Sequence, residues 1–443
     1  SSFNPITAIL TASVSSAIPA TSSVRKPLGA RAIAAITIGS GLEFYDFSVY
    51  SFFATLIGRQ FFPVESTLGQ LLLSLATFGV GFGMRPIGGL VLGAYADRVG
   101  RKPAMMVTLW LMALGSLMFA IAPTYAQIGI AAPVIIVLAR LVQGFAIGGE
   151  VGASTAMLME YADDRSRGFY GSWQLFSQGL SFMLGALVAL ALSSFLSAEA
   201  LESWGWRLPF VLGMLVIPVG IYIRRHLKET AAETPEGSEA TSSLRVIFRD
   251  YRRTVVSGVL LVIGSTASSY IVLDYMTNYT VTVLHLPMTM GTTAACLGAL
   301  VQISLSIWAG RLSDRIGRRR TIALGCIPML LLIYPAFMLM NLYPTLITLL
   351  AVSLVTTFLL VLITVPTLVL VTELFPRAIR ATGLSIIYCL GVSVFGGFAQ
   401  FFATGLIGLT GNNNAPALYM MFCVGLTLIG LMRVKETAGK PLD

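Results

Sequence analysis

The segment "GAYADRVGRK", residues 93–102, returns in close outline as "GRLSDRIGRR" at residues 310–319. A second pair follows the first, "EYADDRSRG" at 160–168 answering "ELFPRAIRATG" at 373–383. A compound motif that recurs once in each half marks an internal duplication. Each copy lies between long apolar runs, and the chain of 443 residues is 56% hydrophobic and only 11% charged, against about 25% charged residues in an ordinary soluble domain. The sequence therefore reads as an all-α, polytopic membrane protein with twelve transmembrane helices in two pseudo-symmetric six-helix bundles.

A bilayer core takes about 20 apolar residues to cross as a helix. Spans are predicted at 32–58, 68–96, 103–122, 130–158, 168–196 and 205–224, then at 254–284, 288–311, 320–341, 343–373, 382–408 and 414–433. Residues 1–31 read as a cytoplasmic tail rich in Ser, Ala and Thr and mostly disordered, and 32–224 as the first bundle. The polar stretch 225–253 reads as a cytoplasmic linker, flexible or partly amphipathic, 254–433 as the second bundle and 434–443 as a second cytoplasmic tail.

Lys and Arg gather in the short loops on the cytoplasmic side of membrane proteins. Here they alternate: Arg98, Arg101 and Lys102, then Arg165 and Arg167, then Arg224, Arg225 and Lys228 follow even-numbered spans. Arg315, Arg318 and Arg319, then Arg377 and Arg380, continue the pattern, while "PTYAQIGIAAP", "LHLPMT" and "TGNNNAP" carry no cation. Both termini are thus expected in the cytoplasm. The net charge of +9 is accounted for by this asymmetry, which leaves no need for a nucleic-acid partner and gives anionic membrane lipid a basic face to meet.

Several activities find no residues to carry them. His226 and His285 are the only histidines, one in the linker and one in an outer loop, so neither a Ser-His-Asp set nor a metal cluster is expected. A Gly-rich loop ending in Lys-Ser or Lys-Thr is missing too, which argues against a nucleotide-driven pump. No enzyme activity, metal or cofactor is expected. Cys296, Cys326, Cys389 and Cys423 have neither ligand-like nor disulfide-framework spacing and read as buried free thiols.

The duplicated Gly-x-x-x-Asp-Arg-x-Gly-Arg-Arg/Lys element resembles the loop signature of the major facilitator superfamily, and "ARLVQGFAIGGE" resembles its Arg-x-x-Gln-Gly element. Together with "LEFYDFSVY" and "MRPIGG" they look like the metabolite:proton symporter family. The resemblance covers nearly the whole chain and implies a carrier of the bacterial inner membrane, working by alternating access on an organic acid, shikimate or an osmolyte. "SLATFGVGFGMRPIGGLVLGAY" and "FGGFAQFFATGLIGLTGNNNAP" look more like citrate and tricarballylate carriers than osmolyte carriers. "VYSFFATLIGRQFFP" is also similar to the 2-oxoglutarate member, with Arg59 where that protein has histidine. The expected partner is a small anionic organic acid, tri- or dicarboxylate, with the proton as coupling ion and the carrier a monomer. Betaine, proline or shikimate uptake, an uncoupled facilitator and a transporter-like sensor are the alternatives.

Asp97 ends one helix where it can accept bonds from the exposed amides of a neighbouring helix N-terminus, and Arg98 and Arg101 can reach Glu160. The family resemblance implies that these residues latch the cytoplasmic side while the carrier faces outward, with Asp314, Arg318 and Glu373 as the pseudo-symmetric set. A solvated turn with positive-inside charge is the plain alternative.

Charges inside spans cost several kcal/mol, about 2.5–3.5 at the helix centre on the lenient scale, and face the bundle interior or a wet cavity. They are Glu43, Asp46, Arg85, Arg140, Glu150 and Asp274, with Arg59 near the outer end of the first span. Glu43, Asp46 and Tyr50 fall at i, i+3 and i+7, on one helix face. Intramembrane carboxyls serve as proton relays, so Asp46, with Glu43 as partner or substitute, is the candidate proton-coupling site; a structural salt bridge to Arg85 or Arg140 is the competing reading.

The guanidinium forks of Arg85 and Arg140 suit carboxylate recognition, unless they only neutralise acids in their own bundle. Tyr45, Tyr50, Arg59, Gln143, Gln174 and Gln178 are further candidate substrate contacts in the first half. Tyr275, Asn278, Gln302, Tyr388 and Gln400 are those of the second, beside Tyr270, Asp274 and Tyr279; each is also an ordinary interhelical hydrogen-bonding residue.

Overall fold

The protein is seen in a computed structural model that describes residues 29–99, 101–148, 158–159, 162–227, 240–376 and 379–441. No strand occurs among the described residues. That follows from the solvent: hydrocarbon offers no partner to a free amide, so a chain this apolar closes its hydrogen bonds within helices.

The helices of the first half are α1 (Ala30–Phe52), α2 (Ala54–Phe61), α3 (Thr67–Gly83), α4 (Arg85–Val99), α5 (Arg101–Ile121), α6 (Ala131–Ile147), α7 (Arg167–Phe195) and α8 (Leu208–Leu227). Then come α9 (Ala240–Asp250), α10 (Arg252–Ser269), α11 (Met276–Thr282), α12 (Met288–Ile316), α13 (Arg318–Leu342), α14 (Leu346–Glu373), α15 (Arg380–Gly391), α16 (Ala399–Thr410) and α17 (Ala415–Arg433). Among the described residues, eight helices are long and apolar enough to cross a membrane, and Met106–Ile121 and Ala131–Ile147 are shorter apolar helices. Every predicted span is met by helix among its described residues, though the boundaries shift; residues 149–157 of the fourth lie outside the described ones. Within the predicted linker, α8 continues to Leu227, α9 occupies 240–250 and α10 starts at Arg252, while residues 228–239 lie outside the described ones. The predicted tail 1–31 likewise yields Ala30 and Arg31 to α1; its other residues up to 28 lie outside the described ones.

Two helices that read as continuous in the sequence are interrupted by π-turns, Tyr270–Tyr275 between α10 and α11 and Val392–Gly396 between α15 and α16. Such widened turns often sit at functional sites. The two halves meet chiefly where α7 packs on α12 and where α3 packs on α16. Glycine permits the closest approaches: a Cβ at Gly168 would meet the Gly310 carbonyl, and one at Gly310 the Gly168 carbonyl. Within the first half, Gly144 lies on the Gly81 backbone, and Gly148 on the backbone of Arg85 and Gly88. All four cysteines are free, Cys326 and Cys423 buried and Cys296 and Cys389 half-buried.

The glycine of the duplicated signature has a local cause. Gly317, between α12 and α13, takes φ 104°, a conformation open to glycine and strained for other residues. The turn reverses the chain in one residue.

Candidate functional site

A cavity of about 170 Å³ lies between the two halves. On the first half, α1 lines it with Phe44, Phe47 and Ser48, α4 with Arg85, and α7 with Leu175, Gln178 and Phe182. On the second, the first π-turn brings Tyr270, Leu273 and Asp274, α12 brings Gln302, and α15 brings Tyr388 and Cys389. Of the candidate substrate contacts, Arg85, Gln178, Gln302 and Tyr388 reach this space.

Arg85 is the arginine at the cavity wall. Its guanidinium carbon stands 4.0 Å from the Phe82 ring centre and 5.1 Å from that of Phe47, beside the Tyr270 hydroxyl. Arg140 is fully buried behind it, 4.0 Å from the Phe47 ring centre. It donates to the Phe78 carbonyl at 3.0 Å and to Gln143 at 3.1 Å, so both residues are engaged inside the first half and do not line the cavity.

The described part of the face predicted for α1, Asp46 and Tyr50, is turned away from the cavity. Phe44, Phe47 and Ser48 carry the cavity face, at helical spacing, whereas Asp46 points into the first half. Its Oδ2 accepts from the Ser116 hydroxyl at 2.8 Å, and its Oδ1 has no hydrogen-bond partner among the described residues. No ion pair to Asp46 is found there, in contrast to the competing salt-bridge reading. Tyr50 donates to the Ser74 carbonyl and Tyr45 to the Pro209 carbonyl, each at 2.8 Å, so neither reaches the cavity. The Glu43 side chain and Glu150 lie outside the described residues.

Ser51 joins the halves at the end of the cavity away from the Arg-rich loops. Its carbonyl accepts from Asn278 at 2.7 Å and its hydroxyl accepts from Gln400 at 3.2 Å. The same hydroxyl meets the Asp274 carboxyl, and Thr55 donates to Asn278 at 3.1 Å. Asn278 and Gln400 are therefore joints between halves, off the cavity wall. Tyr275 accepts from Thr404 at 3.0 Å inside the second half. Arg59 sits at the outer rim, 4.0 Å from Glu202, and Gln174 is buried in α7 off the cavity.

At the opposite end an ionic cluster crosses between halves. Asp314 accepts from two amides in the first turn of α7, Gly168 at 2.7 Å and Phe169 at 2.9 Å, where the helix dipole favours an anion. Arg318 donates to Asp314 at 2.7 Å and to Glu373 at 2.8 Å, and Arg167 donates to Glu373 at 3.0 Å. The side chains of Asp97, Arg98, Arg101 and Glu160 lie outside the described residues.

Two members of this cluster were not singled out from the sequence for it. Arg167 follows Glu160 by seven residues, and Arg380 follows Glu373 by seven, a spacing that was readable in the repeat. Glu436, in the tail, receives the α13 amides of Arg318 at 2.9 Å and Arg319 at 3.1 Å, while the Thr437 carbonyl accepts from Arg167 at 3.0 Å. Burial pushes the Glu436 carboxyl up, but donation from the amides of Ala438, Arg318, Arg319 and Thr437 holds it below the ordinary glutamate range.

The comparisons with known proteins agree with this architecture. The chain is 35% identical over 415 residues to a citrate-proton symporter of Salmonella typhi, covering 92% of this chain and 95% of that one. It is 33% identical over 425 residues to a glycine betaine, proline, ectoine and pipecolic acid transporter of Dickeya dadantii, covering 93% and 84%. The crystal structure of a D-xylose-proton symporter superposes with a TM-score of 0.74 at 19% identity, covering 93% of this chain and 99% of that one; this likeness speaks for the fold. The family model described as Major Facilitator Superfamily matches residues 36–400, and the chain belongs to that superfamily.

Proposed function

We propose that the protein is a proton-coupled symporter that carries a small organic acid, a tri- or dicarboxylate such as citrate, into the cell by alternating access. The observation that carries this reading is Arg85, a permanent cation held by aromatic rings at the wall of a cavity shared by both halves. A guanidinium presents a fork that matches a carboxylate. The likeness to citrate-proton symporters supports the same substrate class.

Rocking of the two halves about the cavity would expose it to each side in turn, with the Ser51 joint closing one end and the Asp314–Arg318–Glu373–Arg167 cluster latching the other. The buried Asp46 is the proposed proton-coupling carboxyl, with Glu43 its neighbour on α1. The proposed location is the bacterial inner membrane, with both termini cytoplasmic. Residues from both halves of one chain line the cavity, which supports a working monomer, with the proton as the proposed coupling ion.

A second reading has its own support. Phe44, Phe47, Phe182 and Tyr270 border the cavity together with Asp274, and aromatic faces with a carboxylate suit a quaternary ammonium, as in betaine. Uptake into liposomes by the purified protein, with and without an acidic outside, separates the two. Citrate or tricarballylate should accumulate only under the proton gradient, and Arg85→Gln should weaken its binding about 10- to 100-fold, the worth of hydrogen bonds to a charged group. Accumulation of betaine alone would replace the organic-acid reading, and equal accumulation without a gradient would remove the coupling.

A further inference from the structure

We propose that Asp274 is a second proton-accepting carboxyl, which takes up a proton when the substrate binds and hydrogen-bonds a substrate carboxylate from the side of the cavity opposite Arg85. The inference rests on the organic-acid reading above. Arg85 enters the cavity from the first half and Asp274 from the second. A dicarboxylate or tricarboxylate answers Arg85 with one carboxylate and carries another toward the rest of the wall.

Among the described residues, the remaining titratable and charged groups around Asp274 offer no second cation. Tyr270, Tyr388 and Cys389 are the other titratable groups bordering the cavity among the described residues. Against the π-turn of Asp274 pack α1, α10, α11, α12, α14 and α16. On α1, Asp46, Tyr45 and Tyr50 are directed into the first half, and the Glu43 side chain lies outside the described residues; on α11, Tyr279 donates to the Asn413 carbonyl at 2.7 Å. The nearby groups on α12 and α16 are the amides Gln302 and Gln400.

Two carboxyls facing each other away from water share a proton. The resulting O–H···O⁻ bond is of the strong, charge-assisted kind. The proton comes from the aqueous phase as the anion enters and leaves with it, with no bond broken other than the O–H of the carried proton. Asp274 is tied to more than the substrate. Its contact with the Ser51 hydroxyl places it on the joint that Asn278 and Gln400 also make, so the proton it holds and the closure of that end depend on one carboxyl. An ionised Asp274 would instead suit a cationic group, which makes its protonation a basis for selecting polycarboxylates over zwitterions.

Calorimetric titration of the full-length protein with citrate tests this, in buffers of different ionisation enthalpy and above about pH 7.5, where free carboxylates stay ionised. Wild type should take up about one proton per citrate bound, so that its affinity falls about tenfold per pH unit. Asp274→Asn should bind citrate with no proton uptake and no such slope, and Asp274→Glu should restore both. Proton uptake that survives in Asp274→Asn, or binding to wild type without any, overturns the role of Asp274 while leaving organic-acid transport standing. If no organic acid binds or moves at all, the functional reading falls and this inference with it. Should Asp274→Asn fail to fold, Asp274→Glu still decides: a titrating carboxyl one methylene longer must keep the proton uptake, and its loss with binding intact overturns the proposal.

Discussion

Asp46 and Arg85 show how little separates a structural charge from a working one. Both lie in the membrane region of the first half, yet Arg85 meets the cavity and Asp46 meets Ser116. Asp46 Oδ1, without a hydrogen-bond partner among the described residues, is the less settled of its two oxygens, since a buried acceptor left unpaired costs about 1–3 kcal/mol. Protonation changes that oxygen from acceptor to donor. Asp46→Asn should therefore abolish accumulation driven by a proton gradient while leaving citrate counterflow near the wild-type rate. A variant that folds and melts like wild type but loses counterflow as well would make Asp46 a binding or packing residue.

At the scale of elements, the α12–α13 turn explains its own signature. Asp314 precedes the turn and holds the α7 amides, Gly317 takes the positive φ, and Arg318 starts α13 with its side chain on Asp314 and Glu373. Glu436 then covers the first amides of α13, so the tail serves as a helix cap from far along the chain. Removing such a cap costs about 1 kcal/mol. Because the Glu436 carboxyl is held below its ordinary range, its contribution is full above the unfolded glutamate value of about 4.3 and is lost as pH falls through the lower folded value. The melting-temperature gap between wild type and Glu436→Gln should thus be present at neutral pH and close only in that acid range. A gap that stays constant down to the acid limit would show that the carboxylate is not what stabilises α13.

At the scale of the molecule, polar contacts join the halves at both ends of the cavity, and a carrier must break them by turns. The Thr55–Asn278 contact, at 3.1 Å, offers a direct test of movement at the Ser51 end. Thr55→Cys with Asn278→Cys, in a background where the four native cysteines are serine, should stop transport when a short thiol-directed crosslinker joins the pair. Reductive release should restore it. Uninterrupted transport by the crosslinked protein would mean that this end does not open. The ionic cluster at the other end is buried, and removing one partner of a buried ion pair costs about 3–5 kcal/mol, so it holds its closed arrangement firmly.

Sequence by itself determined the spans, the duplication and the turn chemistry, because each is local. Hydropathy decides what can sit in lipid, and a left-handed turn asks for glycine wherever it occurs. Arg85, Gln178, Gln302 and Tyr388, singled out from the sequence, line the cavity, and Arg318 meets Asp314 and Glu373. The tertiary structure decided which face of α1 meets the cavity. Helical spacing groups Glu43, Asp46 and Tyr50 on one side but is silent on what that side faces, and packing of α1 against its own half turned Phe44, Phe47 and Ser48 inward instead. The joints at Ser51 and Glu436 were equally out of reach, since each depends on residues more than a hundred positions away. Only the docking of the two halves fixes such contacts, for the chain records its periodicity along one dimension while the cavity is closed in three.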